Sequence, residues 1–299
     1  MPVYLLATLD TKGPEAALVR DRLRELEVEV AVVDTGCIGL PFFPGEVSRE
    51  QVFAAAGSSH VEIVARRDRG TAVTLAAQGA TKIVSDAFIA GKLDGVLALG
   101  GSAGTTIGTS AMRALPIGVP KLMVSTLASG QVHPWIGASD ILMLNSVVDI
   151  AGINRISRRI LGEAAAAMAG MVKFRFAEMK ADKPLIAATM FGVTTPCVER
   201  ARQMLEAAGY EVLVFHATGS GGRAMESLIT SGMIAGVLDI TTTELADELV
   251  GGILSAGPDR LTAAALHGVP QVVSVGALDM VNFGPRETVP EQFQNRVTV

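Results

Sequence analysis

The chain has 299 residues, 49% of them hydrophobic and 18% charged, which is ample for two buried cores and excludes large-scale disorder. Its net charge of −5 argues against a nucleic-acid backbone as main partner, since that binding rests on clustered Lys and Arg. Only Cys37 and Cys197 carry thiols, which rules out a disulfide framework and points to a reducing, cytoplasmic setting. No apolar run reaches the length of a membrane span, and the Met1-Pro2-Val3-Tyr4 start lacks a leader's basic region.

Val3 to Leu9 is a short apolar run, followed by Asp10-Thr11-Lys12-Gly13-Pro14 and a helical pattern through Leu18, Leu23 and Leu26. Val28 to Val33 predicts a second strand ending at Asp34-Thr35-Gly36, and Pro41 to Gly45 a loop. Arg66, Arg67 and Arg69, the densest cationic run, are expected on a solvated helix face. Gly70 to Ala87 predicts a helix, 94 to 99 a buried strand, Thr105 to Leu115 a helix and Lys121 to Ser125 a strand. The Ala-rich stretch from Asn154 to Lys180 predicts a long helix that links two halves.

The pattern then restarts. Pro2 to Thr8 aligns with Pro184 to Met190, Val30 to Gly36 with Val212 to Gly219, 94 to 97 with 235 to 238, and Gly118 to Ser125 with Gly268 to Ser274, in the same order. The fold expected is α/β: two duplicated Rossmann-like three-layer domains with parallel sheets, spanning 1–180 and 181–299, with an interdomain cleft that holds the ligand.

Gly100-Gly101-Ser102-Ala103-Gly104-Thr105, between a strand and a helix, is suited to an anion: glycines let backbone N–H groups converge at the positive end of the helix, and Ser102 and Thr105 add hydroxyls. It is neither a Walker loop nor the Gly-x-Gly-x-x-Gly fingerprint. Asp10, Thr11, Lys12 and Gly13 also follow a strand; Lys12 could meet phosphate and Asp10 a hydroxyl or, through water, Mg²⁺. Asp34 ends a strand where dinucleotide folds hold a ribose hydroxyl, and Thr126, Leu127, Ala128 and Ser129 would form a second wall. In the second half, His216, Arg223 and Glu226 combine an imidazole, a guanidinium and a carboxylate that could hold an acidic group and shuttle a proton. Gly219, Gly221, Gly222, Thr241, Thr242, Glu244 and Asp279 are the candidate substrate contacts around them. For each of these residues alone, ordinary capping is the competing reading. The histidines are too scattered for a metal site.

Leu6-Ala-Thr-Leu-Asp10-Thr-Lys-Gly13, Leu99-Gly-Gly-Ser-Ala-Gly-Thr105, Ser146-Val-Val-Asp-Ile-Ala-Gly-Ile-Asn-Arg155, His216-Ala-Thr-Gly219 and Gly276-Ala-Leu-Asp-Met-Val-Asn-Phe-Gly-Pro285 together give the chain a family likeness over its whole length. It resembles the ATP-binding domain family typified by the inhibitory N-terminal domain of the tomato mosaic virus resistance protein. The resemblance implies two Rossmann-like domains, a homodimer or higher oligomer, and ATP on the loops at Asp10 to Gly13, Gly100 to Thr105 and Thr126 to Ser129.

The leading expectation is therefore an ATP-binding protein that acts on, or responds to, a small metabolite in the interdomain cleft. The alternatives are a non-catalytic, nucleotide-stabilised dimer that binds another protein, and an NAD(P)-dependent oxidoreductase that uses the same glycine loop.

Overall fold

A computed structural model describes residues 1–174 and 183–296. The chain divides into two compact units, Met1–Phe176 and Ala177–Val299; the boundary expected at 180/181 falls outside the described residues.

The first unit runs β1 (Val3–Ala7), α1 (Gly13–Glu25), β2 (Val30–Asp34), α2 (Arg49–Ala55), α3 (His60–Arg66), α4 (Arg69–Ile89), β3 (Gly95–Gly100), α5 (Ser102–Arg113), β4 (Lys121–Ser125), α6 (His133–Ile136), β5 (Leu142–Asn145) and α7 (Arg155–Lys173). Its five parallel strands lie in the order β2-β1-β3-β4-β5. Both sheet faces are covered, which is why β3 and β4 are apolar throughout and buried at every position rather than alternating. On one face Leu5, Leu97, Leu122 and Val124 pack against Val19 and Leu23 of α1 and Leu161 and Met168 of α7; on the other Leu6, Val96, Ala98 and Met123 meet α4 and α5. The helix expected from Asn154 begins at Arg155 under an Asn154–Ser157 capping box; positions 175–180 of that expectation lie outside the described residues.

The second unit runs β6 (Leu185–Met190), α8 (Thr195–Ala207), β7 (Glu211–His216), α9 (Ser220–Thr230), β8 (Gly236–Thr241), α10 (Thr243–Val250), α11 (Ala263–Leu266) and β9 (Gln271–Gly276). Its parallel sheet has the order β7-β6-β8-β9. That is the order of the first four strands of unit one, so the duplication seen in the sequence is a duplication of topology. No helix among the described residues is long and apolar enough to cross a membrane.

Three elements escape the periodicity argument. α2 and α3 fill the stretch before α4, and the Ser48-x-x-Gln51 signature of α2's capping box is present in the sequence but unused in the reading. β5 has four residues and no alternation to mark it.

Candidate functional site

In an open parallel sheet of this order the chain leaves β1 and β3 toward opposite faces, and a crevice opens at their carboxyl ends. A pocket of about 590 Å³ lies at that point in unit one. Its walls are Thr8, Asp10, Thr11 and Lys12 after β1, Gly100 to Gly104 after β3, and Thr126 and Leu127 after β4. Cys37, Ile38, Arg69, Val73, Ile107 and Asp149 complete it. The size is that of a small-molecule or nucleotide site.

The glycine segment is the first turn of α5 rather than a free loop: the helix starts at Ser102, three residues before the expected Thr105. A Cβ on Gly100 would stand 2.8 Å from the Gly104 Cα, so the turn closes only with glycine there. Thr105 is buried and its hydroxyl bonds the Ser125 hydroxyl at 2.6 Å, which ties the turn to β4. The leading N–H groups of any helix lack intrahelical partners. In α2, α4 and α7 the side chains of Ser48, Asp68 and Asn154 satisfy some of them, whereas α5 has Gly101 as its cap and no side chain on those amides. Two cations flank this uncapped end. Lys12, in the β1–α1 turn, donates from Nζ to the Ile150 carbonyl, and Arg69 stands at the start of α4.

Asp10 and Asp34 are placed differently from the expectation. The Asp10 Oδ2 accepts from the amides of Cys37, Ile38 and Gly39 at 3.1, 3.0 and 3.2 Å and lies 4.0 Å from Arg49. Asp34 is buried, accepts from the Leu9 and Gly36 amides, and pairs with Arg49 Nε at 2.7 Å. Both carboxylates thus hold the loop after β2, and Asp34 is not among the pocket walls. Asp10 faces the pocket but shares its charge with Arg49, a poor arrangement for a directly bound Mg²⁺. Among the described residues no group of three acidic, His or Cys side chains could hold a metal. Gly13, Ala128 and Ser129 sit beside the pocket's loops without lining it. Burial, followed by the Asp10 charge, pushes the Cys37 thiol up to about 11, so it stays protonated at neutral pH.

In unit two the candidate residues meet each other. The Glu244 carboxylate accepts from the Gly219 and Gly222 amides at 2.6 and 3.1 Å and from Arg260 Nε at 2.7 Å. A Cβ on Gly222 would lie 2.3 Å from the Glu244 Oε2, so this glycine admits the carboxylate. Arg260, with a side chain 0% exposed, also pairs with both Asp239 oxygens at 2.5 and 2.6 Å and with Glu226 at 3.3 Å. Burial pulls the Arg260 pKa down, but the bonds to Asp239 and Glu244 outweigh it and the net shift is upward. Glu226 further accepts from the Leu261 and Ala263 amides. Thr241 bonds Thr194 and Thr189, and Thr242 bonds the Ser274 carbonyl. His216 stands edge-on to Phe191, Arg223 donates to the Ser255 carbonyl, Gly221 packs under the His216 carbonyl, and Asp279 is exposed. The structure brings Glu226 and Glu244 together through Arg260 and leaves His216 and Arg223 outside that network.

Sequence reading missed Arg260 and Arg49, whose partners are distant in the chain. It also missed Arg69, Cys37, Ile38, Val73, Ile107 and Asp149 as pocket walls. The Ser146 to Arg155 string was conspicuous, and its role is now visible: Lys12 holds the Ile150 carbonyl, Glu15 accepts from the Gly152 amide at 2.6 Å, and Asp149 reaches the pocket.

Residues 1–177 match the N-terminal domain, and residues 183–299 the C-terminal domain, of the Uncharacterised protein family (UPF0261). A UPF0261 protein of Clostridium tetani is 53% identical over 98% of this chain and 73% of its own length, and one of Rhizobium meliloti is 46% identical over 99% and 73%. The ToMV resistance protein Tm-1(GCR237) of Solanum lycopersicum is 42% identical over 98% of this chain, which spans 42% of that protein. Among solved structures, UDP-N-acetylglucosamine 2-epimerase from Rickettsia bellii superposes with a TM-score of 0.29 at 11% identity, over 91% of this chain and 78% of that one, too loosely to bear on function. With both domains matched in order along the whole chain, the protein belongs to the UPF0261 family.

Proposed function

We propose that unit one is a nucleotide-binding module whose ligand is ATP. The observation that carries this is the uncapped N-terminus of α5, flanked by Lys12 and Arg69, on a pocket at the β1/β3 crevice. Phosphate is the natural guest of such an end, where N–H groups and the helix dipole both favour negative charge. The remaining walls divide by polarity: Ile38, Val73, Ile107 and Leu127 give an apolar side for a base, and Thr8, Thr11 and Thr126 give hydroxyls. Mg²⁺ would arrive on the phosphates, with Asp149 as the exposed carboxylate nearest to hand. The pocket holds no histidine and its thiol is protonated, so the reading is one of binding rather than turnover. Homodimerisation and a cytoplasmic location belong to the same proposal; both cysteines are free, as a reducing compartment allows. The polar residues of unit two are spent on one another and are not proposed as a substrate site.

The test is thermal stabilisation by adenosine, AMP, ADP, ATP and NAD, since a ligand of the native state raises stability by mass action. The midpoint is expected to rise with phosphate number. An adenosine effect equal to that of ATP would remove the phosphate subsite, and a rise with NAD alone would make the ligand a dinucleotide. Gly101→Asp sharpens the assay. The Cβ at this position meets only the Thr126 hydroxyl at 3.6 Å, and Gly101 already has extended, cap-like backbone. An aspartate there caps α5 itself, so the free protein gains up to about 1 kcal/mol while the ATP response is lost.

A further inference from the structure

The two units have the same strand order but not the same cover. The registers make β8 the counterpart of β3 and β9 that of β4, with Val237↔Gln271 repeating Val96↔Lys121 and Leu238↔Val272 repeating Leu97↔Leu122. Leu122 and Met123 are 0% exposed, but their counterparts Val272 and Val273 are 63% and 53% exposed, and Val275 is 75% exposed. Leu97 and Leu99 are fully buried, whereas Leu238 and Ile240 are half-buried. In unit one β5 pairs along the outer edge of β4, and α7 packs across β3 and β4. Neither element has a counterpart among the described residues of unit two, where β9 ends the sheet.

Parallel strands with this apolar content are stable when buried on both faces. Natural free edges carry Lys, Pro or a bulge that blocks further pairing, and Gln271-Val-Val-Ser-Val-Gly276 has no Lys or Pro. Its one register irregularity lies toward β8, on the paired side.

We propose that the outer edge and open face of β9 are a docking surface for one strand and one amphipathic helix with the pattern of β5 and α7, supplied by family polypeptide outside the stretch matched here. Two observations name this occupant. The duplication places such a pair next in chain order after β9, because β5 and α7 follow β4. The relatives also have length to supply it, since the match takes in 73% of the Clostridium tetani protein.

The probe is the portion of that relative outside its matched stretch, made as a separate polypeptide and added to the 299-residue chain. Hydrogen exchange is then read at residues 271–276. The expected result is exchange slowed about tenfold or more at these amides, one probe per chain by native mass spectrometry, and no slowing in a Val272→Asp chain that keeps its exchange pattern in β1 and β3. Unchanged exchange at saturating probe overturns the proposal. So does strong protection of these amides in the chain alone: if it grows with protein concentration a second copy is the occupant, and if it does not, the chain covers the strand itself.

Discussion

Lys12 and Cys37 face the same pocket and do opposite things. Lys12 is the β1–α1 turn's cation, already oriented by the Ile150 carbonyl, so its charge is placed before a ligand arrives. Replacing it by Gln keeps length and removes charge. With charged hydrogen bonds worth about 1.5–3 kcal/mol, ATP affinity should fall roughly 10- to 150-fold, read by calorimetry or by the thermal shift; unchanged affinity would take Lys12 out of the site. Cys37 is held protonated by burial and by the Asp10 carboxylate. In the unfolded chain the thiol ionises near its ordinary value of 9.0, while the folded thiol keeps its proton to about 11. Between those values the unfolded state binds fewer protons, and stability falls as pH rises. Cys37→Ser should therefore flatten the decline of urea stability between pH 9 and 11 relative to the parent chain, and iodoacetamide at pH 8 should label exposed Cys197 well before Cys37.

At the scale of elements, the same device occurs in both units with different parts. In unit one Asp10 and Asp34, joined by Arg49, satisfy the amides of the loop after β2. In unit two Glu244, joined to Arg260, satisfies the amides of the turn after β7. A carboxylate placed on converging N–H groups makes an internal anion, and a turn filled this way has no room for an external one. The turn before α5 is the one left open. Removing the buried cation of unit two strands three carboxylates, so Arg260→Met should cost about 3–5 kcal/mol in denaturant unfolding of that unit. A loss below 1 kcal/mol would mean that water or rearranged side chains replace the guanidinium. Glu226 stabilises the 261–263 turn in this network, which is why it is no longer a catalytic candidate.

For the whole molecule, a ligand confined to unit one should stabilise that unit alone. ATP is expected to slow hydrogen exchange in 95–113 and leave 236–250 unchanged; equal slowing in both would show that the site extends beyond unit one. Much of this organisation is legible in the chain. Buried parallel strands are written as continuous apolar runs ending in Gly or Asp, and the repeated runs at Val3, Val30, Gly95 and Lys121 recur at Leu185, Val212, Gly236 and Gln271. α/β class, duplication and the glycine turn all follow from those local signals. What does not follow is whether a polar residue faces a ligand or another residue. Asp34, Glu226 and Glu244 have the composition of a site, and their roles were decided by Arg49 and Arg260, 15, 34 and 16 positions away respectively. Arg69 looked like part of a solvated run until the packing of α4 brought it to the pocket. Sequence determines which segments bury themselves because burial depends on residue type and period; only tertiary structure decides which carboxylates are satisfied inside and which helix end stays open, because that depends on partners that meet through the fold.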